Sequence, residues 1–178
     1  MVPAAPATAS AAAVAALAVA GAAGPIHYMT SVPGRSHSGP LPAATNPERA
    51  MAGRLTNRVA ALARSPRNIK HYEALERAAR YIETELSALG YKPEPQIYTV
   101  AGRAVRNIEV TIEPRDAARA RGTIVIGAHY DSYEDTPGAN DNATGTAAVL
   151  ELARMLADQR GKSDVRYRLV LFVNEEPP

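Results

Sequence analysis

Cysteine is absent from the 178 residues. The chain therefore forms no disulfide, performs no thiol chemistry and holds no metal through thiolates. That absence suits either side of a membrane. Charge is absent from the first 34 residues, which contain no Lys, Arg, Asp or Glu. Over the whole chain 20 basic residues face 18 acidic ones, for a formal net charge of +2 and a pI near 9.0. Arginine is scattered and no basic block marks a nucleic-acid surface, so no nucleic-acid partner is expected. No internal repeat is present. Charged residues make up 21% of the total, enough to keep the bulk soluble. The length allows one domain with extensions.

The uncharged leader has three readings. Ala11 to Ala23 is almost all Ala and Val, with one Leu, which a disordered Ala-rich leader would also show. A segment from about Ala7 to Ile26 reaches the ~20 residues that a bilayer span needs. Ala18-Val19-Ala20-Gly21 matches the small-x-small pattern of a cleavable signal. Ala is only marginally apolar and no basic region precedes it. An uncleaved anchor over residues 1–34, with the following domain outside the cytoplasm, is preferred to a cleaved signal and a secreted product. Residues 35–46, within a Pro/Gly/Ser-rich stretch from Ser31 to Pro47, read as an extended linker. His27 and His37 fall in these segments and are read as solvated.

Residues 47–178 read as one α/β domain. Asn46-Pro47 opens a helix, with Asn46 as N-cap and Pro in the first turn. Met51, Leu55, Val59 and Leu62 share one face, and Ser65-Pro66 stops the helix. A second helix runs from His71 to Leu89 on a stripe of Leu75, Ala78, Ile82, Leu86 and Leu89, and Gly90 ends it. His71 is read as a capping or exposed residue. Gln96 to Val100 and Ala104 to Ile112 read as a hairpin joined by Ala101-Gly102-Arg103.

The stretch that organises the chain follows. Thr123 to Ile126 is a β-branched run that reads as a buried central strand. Gly127-Ala128-His129-Tyr130-Asp131-Ser132 lies at its carboxyl end. Pro137-Gly138 breaks the chain, and Asp141 stands just ahead of a helical segment, Ala143 to Ala157. Tyr167 to Val173 is a second apolar run, ending in Asn174-Glu175-Glu176-Pro177. Two strands with a helix between them thus each end in metal-capable side chains. In open α/β sheets, sites form beyond the carboxyl ends of strands. An imidazole with several carboxylates and no thiolate suits catalytic zinc. Taken singly, His-x-Asp, Asn-Asp-Asn and Glu-Glu-Pro are ordinary hydrogen-bonded pairs, turns and solvated loops; together they read as a zinc site.

These blocks, Gly127 to Ser132, Pro137 to Gly145 and Asn174-Glu175-Glu176, resemble the di-zinc exopeptidase family that contains bacterial leucyl aminopeptidases, aminopeptidase Y and glutamate carboxypeptidase. The match covers about a third of the chain. The resemblance implies a mixed, mostly parallel sheet with helices on both faces. It implies hydrolysis of terminal peptide bonds by water activated by two Zn²⁺ ions, with a peptide or aminoacyl substrate. It assigns His129, Asp141 and Glu176 to the metal, Asp141 as the bridge. Glu175 matches the general base, and Asp131 matches the residue that orients the histidine ring. The family supplies two further ligands after its Glu-Glu pair, an acidic residue and a histidine, and neither is in this sequence. The chain is therefore expected to be an incomplete domain carrying half of the metal site, inactive alone. Two other outcomes share the fold: a glutaminyl-cyclase-like single-zinc acyltransferase, and a non-catalytic binding ectodomain.

Overall fold

A computed structural model describes residues 7–177. The first six residues of the expected anchor lie outside it. The chain divides into two compact units, 1–43 and 44–178. The first contains helix α1, Ala7–Thr30, 24 residues with Pro25 inside it. Its Ala12–Thr30 stretch is long and apolar enough to cross a membrane.

The second unit opens on α2, Asn46–Leu62. Its N-cap is Thr45, one residue earlier than Asn-Pro implies. The Thr45 side chain accepts from the Glu48 amide, and the Glu48 carboxylate accepts from the Thr45 amide at 2.6 Å. This Thr-x-x-Glu capping box satisfies two orphan groups at once and outcompetes Asn46. Helix α3, Tyr72–Ala88, buries Leu75, Ala78, Ala79, Ile82 and Leu86 along the expected stripe. His71 precedes it without a side-chain cap bond, and its Nε2 lies 2.8 Å from Asp135.

Four strands follow: β1, Glu94–Val100; β2, Arg103–Ile112; β3, Thr123–His129; and β4, Arg166–Phe172. Helix α4, Thr144–Leu156, connects β3 to β4. The sheet order is β1-β2-β4-β3. The sheet is mixed, as expected, but its parallel share is the single β3–β4 ladder; β1–β2 and β2–β4 are antiparallel. The expected hairpin accounts for the first antiparallel ladder. The second arises because β4 inserts between β3 and β2.

The helices that pack on the sheet, α3 and α4, share one core with it. Leu75, Ile82 and Leu86 from α3 and Leu150 and Ala153 from α4 meet Ile108, Val110 and Ile112 of β2 and Leu169 and Leu171 of β4. Among the described residues the other sheet face has no helix on it. There Glu109 of β2, itself buried, takes a two-pronged bond from Arg168 of β4 at 2.5 Å on each prong. Among the described residues the run Thr123 to Ile126 stands at the sheet edge, where a buried central strand was expected. It pairs with β4 alone, and Ile124 and Val125 are 46% and 56% exposed.

An ionic cluster fastens α2 to α4. Glu151 on α4 is buried and accepts from Arg54 at 2.7 Å, Arg58 at 2.7 Å and Arg154 at 2.9 Å. Arg58 also reaches Glu85 on α3 at 3.0 Å. Arg54 first, then Arg154 and Arg58, pull the Glu151 carboxyl down to about 2. Removing Glu151 would leave buried Arg58 with Glu85 as its remaining carboxylate partner, so its loss is expected to destabilise the packing of α2 on α4. The cluster thus holds both helices behind the loops that leave β3 and β4.

Candidate metal centre

The site is built where β3 and β4 end together. Their parallel register sets His129 beside Phe172, so the two chain exits are neighbours. The Tyr130 amide extends the ladder by donating to Phe172 O at 2.9 Å. After β4, Asn174 takes a left-handed conformation, φ 59°, which asparagine tolerates better than most residues. That turn aims the next two amides at Asp131. Glu175 N donates to Asp131 Oδ1 at 3.4 Å and Glu176 N to Oδ2 at 3.1 Å.

His129 is buried, and Thr146 on α4 donates to its carbonyl at 2.9 Å. Its Nε2 faces the carboxylates: Asp141 Oδ1 lies at 3.0 Å and Glu175 Oε2 at 3.7 Å. Its Nδ1 faces inward, 3.5 Å from Asp131 Oδ1. Among the described residues, Nδ1 is the one buried side-chain nitrogen or oxygen without a hydrogen-bond partner. Asp131 is 2% exposed, and burial pushes its carboxyl up against the lowering effect of the two amides.

Asp141 arrives by a different route. It lies in a short turn, Ala139–Ala143, between Gly138 and α4. Gly138 has φ +54°, and a Cβ there would meet Asp141 O at 2.4 Å and Ser132 Cβ at 2.6 Å. Asn142 Oδ1 then accepts from Gly145 N at 2.9 Å. A side chain at Gly145 would strike that oxygen at 2.2 Å. Gly138 is therefore demanded by its left-handed conformation and by backbone approach, while a side chain at Gly145 would displace the Asn142 amide from its bond to Gly145 N.

The carboxylates crowd one another. Burial raises the Glu176 carboxyl above its ordinary range, and the negative charges of Asp141 and Glu175 raise it further. Ligand atoms of His129, Glu175 and Glu176 all fall within 4.8 Å of one another. Two ligands about 2.1 Å from a tetrahedral zinc stand roughly 3.4 Å apart. The 3.0 and 3.7 Å separations around Nε2 are close to that. The donor set, one imidazole nitrogen and clustered carboxylates, fits a divalent cation. A cleft of about 470 Å³ lined by Tyr133, Thr136, Pro137, Asp141 and Glu176 opens beside it.

All five residues singled out from the sequence are therefore neighbours. Asp131 lies behind the imidazole; Asp141, Glu175 and Glu176 lie around its outer face. The resemblance assigns Glu176 to metal and leaves Glu175 free, yet of the two glutamates Glu175 is the one within 4 Å of Nε2. Distances alone do not separate their roles. Arg67 and Asn68 were not legible as site residues. They belong to Ser65-Pro66-Arg67-Asn68, which reads only as a helix stop, and no local pattern reveals that they hold the loop leaving β3.

Residues 107–177 match the model of Peptidase family M28. YfbL of Escherichia coli (strain K12) is 40% identical over 121 residues, which is 64% of this chain and 36% of that protein. The aminopeptidase YwaD of Bacillus subtilis (strain 168) is 45% identical over 53 residues, 30% of this chain and 11% of that protein. The chain thus spans about a third of the length of the first relative and a smaller part of the second. Among solved structures, the glutaminyl cyclase of Macrostomum lignano superposes with a TM-score of 0.57 at 23% identity, covering 83% of this chain and 47% of that one. That likeness establishes the fold. The match over residues 107–177, with the metal-capable cluster within it, makes this part of the chain similar to peptidase family M28, and the relatives named there support a zinc aminopeptidase-type family.

Proposed function

We propose that this chain serves a zinc-dependent exopeptidase that cleaves terminal residues from peptides. The observation that carries the reading is the convergence of His129, Asp141, Glu175 and Glu176 where β3 and β4 end. Their mutual repulsion leaves a place for positive charge. His129, Asp141 and Glu176 would hold the metal, Asp141 being the residue shared if two ions bind. Zinc supplies Lewis acidity at the scissile carbonyl and lowers the pKa of water. Glu175, its amide committed to Asp131, keeps its carboxylate free to take the proton of the attacking water. Asp131 holds the ring of His129 from behind. Three ligands shared by two ions leave each short of the three usual at a catalytic zinc. We therefore read these residues as half of the ligand set.

The reading is tested on the complete gene product by product analysis and zinc content. Incubation with an aminoacyl chromogenic substrate should release a free amino acid, with two zinc ions per chain. One zinc per chain with cyclisation of an N-terminal glutamine would sink it. So would failure to turn over either substrate at full zinc occupancy.

The uncharged helix α1 further supports membrane attachment, with the peptidase domain outside the cytoplasm. Its 24 residues extend about 36 Å, enough for a hydrocarbon core of about 30 Å. A fusion of residues 1–46 to a reporter should sediment with membranes and resist alkaline extraction. Soluble reporter in the cytosol, or cleaved reporter outside, would defeat the anchor.

A further inference from the structure

Arg67 is 1% exposed, among the most deeply buried large side chains described. Arginine is rarely buried to that degree without a carboxylate partner. None of the ion pairs among the described residues includes it. Its guanidinium donates to three backbone carbonyls instead. Nε reaches Tyr130 O at 2.6 Å, Nη2 reaches Gly138 O at 3.0 Å, and Nη1 reaches Pro137 O. Burial lowers its pKa to about 10, against the nearby charge of Asp131, so it stays charged at neutral pH.

The three acceptors are not scattered. Tyr130 stands between His129 and Asp131, and Gly138 is three residues before Asp141. The rigid fork therefore grips both ends of the loop that separates the imidazole from the carboxylate at its Nε2. The neighbouring backbone completes the grip. Arg67 N donates to Ser132 Oγ at 3.0 Å, Ser132 N donates to Arg67 O at 3.0 Å, and Asn68 Nδ2 donates to Ser132 O and Glu134 O at 2.8 and 2.6 Å. Residues 67 and 68 form a template on which the loop is moulded.

We propose that Arg67 is a positioning residue for the metal centre: its guanidinium fixes the span between His129 and Asp141, and so the geometry in which they hold a cation. The inference rests on the zinc reading given above. A planar fork with five donors can do this; an ammonium presents its three donors from a single point on a flexible stem and holds the span less rigidly. The loop's strain-bearing point, Gly138, is one of the three carbonyls gripped.

The test uses the complete gene product with Co²⁺ as a spectroscopic probe and with Zn²⁺ in competition against a chelator. Arg67→Lys, Arg67→Met and His129→Ala are compared with the parent, each well below its melting temperature. Arg67→Lys should keep the parent's far-ultraviolet circular dichroism but bind zinc about tenfold more weakly. Its Co²⁺ bands at saturation should differ in shape and intensity. Arg67→Met should show the same changes, larger; if it does not fold, Arg67→Lys decides. A merely structural Arg67 would lower the melting temperature and leave zinc affinity and the saturated Co²⁺ spectrum unchanged, which overturns the proposal. If the parent shows no Co²⁺ bands, or His129→Ala keeps them, the zinc reading fails and this inference falls with it. Bands lost in His129→Ala but unmoved by either Arg67 variant reject the positioning role alone.

Discussion

Glu175→Gln in the complete, zinc-loaded protein should lower turnover by about 10²–10⁴ and leave the zinc content unchanged. The amide matches the carboxylate in size and keeps the same backbone bond, Glu175 N to Asp131 at 3.4 Å. What it loses is the ability to accept a proton. The Glu175 side chain is 62% exposed while its carboxylate stands 3.7 Å from His129 Nε2, so water and a metal-bound substrate could both reach it. Zinc content decides more than turnover does here. Glu175 and Glu176 both bring an oxygen into the cluster around His129. If Glu175→Gln loses metal, Glu175 is a ligand and the two adjacent glutamates exchange roles. If the variant keeps near-normal kcat with metal bound, neither assignment of Glu175 survives. Glu176→Gln is the matched control, expected to lose zinc.

Much of this centre was legible because its signals are local. A β-branched run followed by His-x-Asp, and an apolar run followed by Glu-Glu, each put chemistry at a strand end. β4 ends at Phe172 and Asn174 turns the chain, so Glu175 and Glu176 both enter the cluster and are not separated by the pleat. Pro137 to Gly145 was legible for a similar reason: its glycines answer to contacts with Asp141 and Asn142, only a few residues away. The position of Thr123 to Ile126 in the sheet was not. Strand order depends on which partners β4 takes, and its ladders to β2 and β3 are long-range pairings that no local pattern encodes. Arg67 was hidden for the same cause. Its acceptors are backbone carbonyls more than 60 residues away in sequence, and carbonyls carry no sequence signature. Thr45 was overlooked for a smaller reason: Asn46-Pro47 offers a cap one residue late, and only the reciprocal bond to Glu48 separates the two.

Asp131→Ala should weaken zinc binding by about 10–100-fold, near the upper end, although Asp131 touches no position where the metal would sit. The carboxylate is 2% exposed and faces three groups at once. It accepts the amides of Glu175 and Glu176, and it is the nearest acceptor for His129 Nδ1, at 3.5 Å. Deleting it leaves two inward-facing N–H groups unpaired, at about 1–3 kcal/mol each. The exit of β4 would then relax, carrying both glutamates away from the imidazole. Nδ1, already short of a full hydrogen bond, would lose the carboxylate 3.5 Å away, and the ring would no longer be held with Nε2 outward. Asp131→Asn separates these contributions. Its carbonyl oxygen can still receive one amide, but its NH₂ opposes the other amide or Nδ1–H, donor against donor. An intermediate loss of affinity is expected, with the ring orientation suffering more than the glutamate loop. Competition titration of zinc against a chelator, with imidazole ¹⁵N shifts reporting the tautomer of His129, measures both. If Asp131→Ala bound zinc as the parent does and kept the same tautomer, the ring would be oriented by β3 and by the Thr146 bond to His129 O, and the role assigned to Asp131 would be wrong.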